Sequence, residues 1–363
     1  MITLISLSLE DYIKEVKKNF EVLAYREINR VYSYGFLSEI SPEYPTFSYN
    51  AMFMEGAISL QQPIRISQPL RALSYLELRR AKKYESTDLE NILVLSAVEA
   101  YLDAAVLREK ERVLKEILDN LERAREISGH FYKTGALRFS EVKVLEVKMD
   151  VIRARMEMVL GNLKKVEEMV RFYYGGEPGE IFLPEVETLP RLDSLIDLLE
   201  KSPSLKRREH LKKSKMYNTF SKMLPLTLSP GILYHNGDLY FSISFSVPVW
   251  VLRYWGEISS SRAEYKVEEY MYKAEREKKI AQLKGLYGNY LSSLETLESL
   301  ENSLKKMENI LELEEENYKT GKLGLYELLI LYNEVLDLKI KVVEAKAEVI
   351  RKVYEVKGLV GTL

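Results

Sequence analysis

Two short stretches hold residue types that could do chemistry at a fixed spacing. Tyr132 to Leu137 and Tyr318 to Leu323 share the pattern Tyr-Lys-Thr-Gly-x-Leu, 186 residues apart in a chain of 363. Gly321-Lys322 resembles the end of a phosphate-binding loop, in which backbone N–H groups cradle phosphate and the lysine precedes Ser or Thr. Here Leu323 follows the lysine, and Glu316 stands where the first glycine belongs, so that chemistry fails. The three histidines, His130, His210 and His235, fall in separate contexts, and no His-Glu-x-x-His pair occurs. No two carboxylates share an evident pocket, so neither an enzyme nor a cofactor site is expected. With no cysteine, disulfides, thiolate metal sites, a thiol nucleophile and cysteine lipidation are all excluded. What the two stretches do hold is charge around a glycine: Lys133, Arg138 and Glu141 near Gly135, and Lys319, Lys322 and Glu327 near Gly321.

The elements that carry these glycines are helical. Charged residues make up 30% of the chain and hydrophobic residues 46%, a combination that suits long amphipathic helices. The net charge of −2 gives no reason to expect a nucleic-acid partner. After the first glycine, Val142, Met149, Met156, Leu163 and Val170 recur every seven residues, with Leu145, Ile152, Val159, Val166 and Tyr173 three further on. The second copy has Leu328, Val335, Val342, Val349 and Val356, with Leu331, Leu338, Ala345, Lys352 and Leu359. These are heptad seams. They end at Gly175 and Gly361, where glycine stops a helix. Before the second tip, Glu257 to Asn317 contains no proline, and Leu283, Tyr287, Tyr290, Leu294, Leu297, Glu301 and Leu304 alternate in steps of four and three. A helix of about 60 residues spans roughly 90 Å. The first copy offers the same from about Leu73 to Gly129. Each glycine therefore marks the tip of a helical hairpin, reversing the chain at positive φ.

A different period lies between the helices. Asp238 to Val247 alternates, with Leu239, Phe241, Ile243, Phe245 and Val247 on one face and Tyr240, Ser242, Ser244 and Ser246 on the other. Leu226 to Tyr234 precedes it across His235-Asn236-Gly237, a hairpin signal. In the first half, Thr46 to Met54 turns at Glu55-Gly56 into Ala57 to Ser67, where Pro63 calls for a bulge or bend. Pro69 and Pro248 close the strands. Ahead of these, Ser8 to Ser33 pairs with Arg191 to Met216 at an offset of 183, each reading as a short amphipathic helix, a break and a longer polar helix.

The chain thus reads as two structural repeats, 1–175 and 191–363, joined by a Gly- and Pro-bearing linker at 176–190. The strands lie at about 46–67 and 226–249, and the hairpin tips at 132–141 and 318–327. Four strands could form a soluble sheet packed on helices, but so small a sheet cannot cover helices this long. Alternatively, strands of about ten residues alternate lipid-facing and lumen-facing side chains in a membrane barrel. Four cannot close a barrel alone, and an open edge in lipid is forbidden, so several chains would have to share one. Tyr44, Tyr49, Tyr234 and Tyr240 fall near the strand ends, as interfacial tyrosines do. A soluble coiled-coil scaffold is the other reading that the heptads allow, but it needs no alternating hairpins inserted twice.

In this order and duplication the sequence resembles the TolC-like outer membrane efflux proteins. The resemblance covers nearly the whole chain. It rests on Leu224-Pro225 and Tyr44-Pro45 before the outward strands, Ser246-Val247-Pro248-Val249 after the last, and the two Tyr-x-x-Gly tips. It implies a mainly α fold with a β-barrel part: long helical hairpins forming a periplasmic α-barrel, and four transmembrane strands per chain in a barrel completed by a homotrimer. It implies a passive exit duct of a tripartite efflux or type I secretion system, set in outer-membrane lipid and reaching into the periplasm. A periplasmic adaptor and an inner-membrane transporter are the implied partners. The tips are the implied gate and docking region, around Tyr132, Gly135, Arg138, Glu141, Tyr318, Gly321, Lys322, Glu327 and Ile330.

The tips depart from the family pattern of acidic residues six and nine positions after the glycine. Glu141 and Glu327 hold the first place, but Val144 and Ile330 stand in the second. The arginine expected two after the second glycine is Leu323, with Lys133, Arg138, Lys319 and Lys322 nearby. The expected gate pairs Glu141 and Glu327 with these bases above an apolar layer; the plainer reading makes both glutamates a solvated helix face. Whether the duct passes metal ions, small molecules or proteins is left open. The first residues, MITLISLSL, read either as an ordinary start or as the tail of a signal sequence, in which case upstream codons for a basic, apolar leader are expected.

Overall fold

The computed structural model describes residues 6–19, 23–24, 46–50, 57–133, 139–235, 238–246 and 251–363. Gly135, Arg138, Tyr44-Pro45, Glu55-Gly56, Asn236-Gly237, residues 247–249 and most of the first polar helix lie outside the described residues, as do the side chains of Glu141 and Tyr49.

Seven helices are described: α1 (Leu9–Val16), α2 (Gln68–Lys133), α3 (Phe139–Tyr174), α4 (Leu192–Leu199), α5 (Pro203–Met223), α6 (Val251–Lys319) and α7 (Leu325–Val360). The strands are β1 (Ser6–Leu7), β2 (Thr46–Asn50), β3 (Ala57–Gln61), β4 (Ile64–Arg65), β5 (Glu180–Ile181), β6 (Thr227–His235) and β7 (Asp238–Ser246). The repeat offsets recur in these bounds. α1 and α4 start and end 183 residues apart; α3 and α7 start and end 186 apart, and so do the last residues of α2 and α6. The shift falls within the long helices, where α2 has 66 residues and α6 has 69. Both are longer at each end than the expected bounds, and Pro69 sits in the first turn of α2, where no N–H partner is lost.

The chain divides into two compact units: Met1–Val22, Asn91–Leu195 and Gln282–Leu363 form one, and Leu23–Glu90 and Ile196–Ala281 the other. In the first, every expected seam position of α3 and α7 is buried or half-buried. Glu301, the interruption on α6, is exposed. α7 buries more than its seam: Leu329, Tyr332, Leu336 and Ile350 are also buried, because α7 packs on α2 as well as α6. Three ion pairs track that antiparallel contact, Asp103–Arg351 (3.0 Å), Lys110–Glu344 (2.5 Å) and Glu116–Lys339 (2.8 Å). Gly358 lets the helices approach: a Cβ there would meet Leu95 Cδ1 at 2.6 Å.

The linker is more than a joint. β5 pairs in parallel with β1, Ile181 is buried with Leu7 and Leu9, and the Tyr101 hydroxyl lies 2.7 Å from the Leu7 carbonyl oxygen and 3.2 Å from that of Phe182. Ser8 caps α1 by accepting the Asp11 N–H at 3.1 Å.

In the second unit, hydroxyl residues line the contacts of α5. Ser74 donates to the Ser214 carbonyl at 2.9 Å, and Thr219 to that of Ser261 at 3.0 Å. His210 proves structural, 2.5 Å from the buried Glu77 and stacked on Tyr84. The sheet runs β2-β3-β6-β7, antiparallel throughout, with β4 continuing β3. Pro63 makes no bulge. The register Gln61↔Gly231 resumes unshifted at Ile64↔Leu228, and across the gap the Gln62 N–H reaches the Pro230 oxygen at 2.9 Å. Gly231 is required there, since a Cβ would sit 2.5 Å from the Leu60 oxygen. Pairing sorts the faces: Leu60, Ile64, Leu228, Ile232, Leu239, Phe241, Ile243 and Phe245 share one, and Ser59, Gln61, Thr227, Ser229, Ser242 and Ser244 the other, with Leu233 and Tyr240 among them. On β7 both faces are open: every residue is exposed except the half-buried Ser242, and Phe241 is 89% exposed. Along β7, then, neither face is covered by another described element. No described helix is long and apolar enough to cross a membrane.

Candidate functional site

The second tip is described in full along its backbone. α6 stops at Lys319 because Gly321 takes φ 72°, in the left-handed region. The Lys322 N–H returns to the Asn317 carbonyl at 2.8 Å and the Gly321 N–H to that of Tyr318 at 3.0 Å, satisfying the last carbonyls of the helix. Gly324 then caps α7, and the Glu327 carboxylate accepts the Gly324 N–H at 2.9 Å. Negative charge in a first turn also suits the helix dipole. Glu327 is exposed, and among the described residues it makes no ion pair with Lys319 or Lys322, which are exposed too. One chain therefore presents Glu327 as a helix cap with its charge open to solvent.

One turn deeper, Ile330 is 40% exposed, and its counterpart Val144 is 42% exposed. Both point an apolar side chain outward from the same level of their helices. The two tyrosines have diverged. Tyr132 is 46% exposed and tilts against Phe139 at 5.9 Å, whereas Tyr318 is 4% exposed and hydrogen-bonded to Ser128 on α2 at 2.9 Å.

Sequence reasoning missed what Tyr318 belongs to. A cavity of about 160 Å³ lies between one face of α2 (Asn120, Arg123, Ala124, Ile127) and the hairpin of α6 and α7. Glu315, Tyr318, Lys319, Leu328 and Tyr332 close it. Inside, Tyr332 donates its phenolic hydrogen to Glu315. Burial first, and then that carboxylate, push the Tyr332 phenol well above its ordinary range, so it remains a donor at neutral pH. The signal was present only in part, since Tyr318 is in the repeated motif. Its partners come from a helix almost two hundred residues away, and no periodicity reports that. Among the described residues, no three His, Asp or Glu side chains are grouped to hold a metal ion.

No protein-family model and no curated protein matches the chain by sequence. Solved structures do. The chain is similar to the outer-membrane channel OprN, with a TM-score of 0.77 and 13% identity over 98% of this chain and 90% of that one. It is similar to CusC, described in terms of transmembrane channel formation, with a TM-score of 0.76 and 12% identity over 98% and 92%. It is also similar to the MtrE outer membrane channel of Neisseria gonorrhoeae in its open state, with a TM-score of 0.75 and 12% identity over 97% and 88%. Near-complete coverage of both partners shows that the whole chain has this fold, long helical hairpins with a β-barrel part.

Proposed function

We propose that the chain is one protomer of an outer-membrane exit duct, a passive channel assembled as a homotrimer. The observation that carries this is the sheet: four strands whose faces differ in chemistry, both of them open along β7, with β2 and β7 at its edges among the described residues. The apolar face suits lipid and the hydroxyl face a water-filled lumen. Strand directions alternate across β2-β3-β6-β7, so β2 of a second copy can continue the ladder beside β7 in the same alternation. Three copies give a closed ring of about twelve strands, an even number as such barrels have. The likeness to channel proteins supports the same reading.

In this duct each chain contributes two repeats, 1–175 and 191–363, and two hairpin tips. The tips form the inner, periplasmic end, dock the adaptor and so meet the inner-membrane transporter. Glu141 and Glu327 supply acidic layers, with Val144 and Ile330 an apolar layer behind them; Lys133, Arg138, Lys319 and Lys322 of this or a neighbouring protomer pair with the acids when the end is shut. Tyr132 and Tyr318 seat the tips, and Gly135 and Gly321 turn them.

The deciding measurement is the protein mass of the detergent-extracted particle. A mass near three times 42.3 kDa, with detergent required for dispersion, is expected. A monomer or dimer that needs no detergent would overturn the duct in favour of a soluble coiled-coil scaffold. For the gate, Glu327→Lys should alter single-channel conductance and cation preference in planar bilayers; unchanged values would remove Glu327 from that role.

A further inference from the structure

The cavity beside Tyr318 is walled by two kinds of surface. Ala124 and Ile127 of α2 and Leu328 of α7 give it apolar lining, together with the rings of Tyr318 and Tyr332. Its volume, about 160 Å³, is that of a space holding one six-membered ring. Arg123 and Lys319 line it from opposite helices and are exposed. Farther along the same α2–α7 seam, Lys110, Lys339 and Arg351 each hold an acid of the facing helix. Among the described residues Arg123 and Lys319 hold none. The one acid of the cavity, Glu315, is turned to the Tyr332 hydroxyl, which leaves the two cations in excess.

We infer that this cavity is a binding site for a small aromatic monocarboxylate, its ring among the apolar and tyrosine side chains and its carboxylate with Arg123 and Lys319. A guanidinium fork and an ammonium both offer charge-assisted donors to a carboxylate. A neutral molecule of the same shape would gain the apolar contact but leave both cations unmet. Such a ligand would touch α2, α6 and α7 at once, so it would tie the second hairpin to the first repeat just above the tip. The site needs only one chain, and its test does not depend on the duct.

The test is calorimetric titration of the full chain in detergent with benzoate and, separately, with benzyl alcohol, a neutral ring of similar size. Benzoate should bind and benzyl alcohol should not. Arg123→Gln should weaken benzoate about tenfold or more, and Lys319→Gln should weaken it in the same direction. Both residues are exposed, so circular dichroism and particle mass should match the parent. Tyr332→Phe, which keeps the ring but frees Glu315 to repel the ligand, should also weaken it. No benzoate binding to the parent at millimolar concentration, equal binding of benzyl alcohol, or undiminished affinity in Arg123→Gln would each overturn the site.

Discussion

Tyr318 and Tyr132 hold one place in the two copies of the tip, yet only Tyr318 is locked down. The Ser128 hydroxyl is fully buried and lies 2.6 Å from the Ala124 carbonyl, so its own hydrogen goes there and the Tyr318 O–H donates to the Ser128 oxygen. Removing that donor in Tyr318→Phe should cost about 1 kcal/mol, the net worth of such a bond. The loss belongs to the tip. Amides of residues 316–324 should exchange about fivefold faster with deuterium, while amides in the middle of α6 stay unchanged. Tyr132→Phe should be silent, within about 0.5 kcal/mol, because that hydroxyl is at an exposed position. Equal effects from the two would show that burial does not separate the copies. Glycine and heptad spacing are local signals, and they put Tyr318 beside the turn that Gly321 makes. They could not rank the two tyrosines, because the difference lies in Ser128, which sits in the other repeat. Likewise Glu327 was legible as an acid beside a turn, but its hydrogen bond to Gly324 depends on where α7 begins.

At the scale of elements, local pattern reported almost everything that one helix or strand decides alone. Stops at Gly175 and Gly361, both at φ 78°, and the alternation of β7 are such features. What it left out are contacts between elements: the second buried arc of α7, the β1–β5 pair, and the unbroken register across Pro63. Gly358 is the sharpest case, reading as an ordinary helix glycine until Leu95 is seen against it. Gly358→Ala should push α7 from α2 and destabilise the protein by about 1–3 kcal/mol, as overpacking does. Adding Leu95→Ala should recover part of that loss in thermal unfolding; a double variant no better than the sum of two independent losses would refute the contact. Charge decides α5 in another way. Glu209 accepts from Lys206 and Lys213, both at 2.7 Å, and these bonds hold its carboxyl down to about 2 from 4.5. A depressed folded value stabilises α5 above pH 4.5 and loses that contribution as pH falls from 4.5 to about 2. Parent and Glu209→Gln should therefore differ in thermal midpoint at pH 7 and converge by pH 2. A constant difference across that window would contradict the assignment.

For the whole molecule, the question is what surrounds the sheet. Phe241 is 89% exposed in one chain, and its strand neighbours Leu239, Ile243 and Phe245 are 61% to 73% exposed on the same face. A soluble protein would leave so continuous an apolar face open only at a binding surface. In lipid the same face is solvated by hydrocarbon, and one arginine near the midplane costs about 2–4 kcal/mol. Phe241→Arg should therefore reduce membrane insertion and the yield of detergent-stable trimer. Ser244→Arg, on the opposite face and three residues along the strand, should insert normally and instead shift ion preference toward anions, because in the proposed duct its charge would line the lumen. The pair separates three arrangements. Loss of assembly in the first variant alone places lipid on the apolar face and water on the hydroxyl face. Equal tolerance of both would mean that the sheet stands in water. Loss in both would mean that it is covered on each side by protein. Only the first outcome is compatible with three sheets sharing one barrel, since only there can every backbone edge be paired while one face meets hydrocarbon.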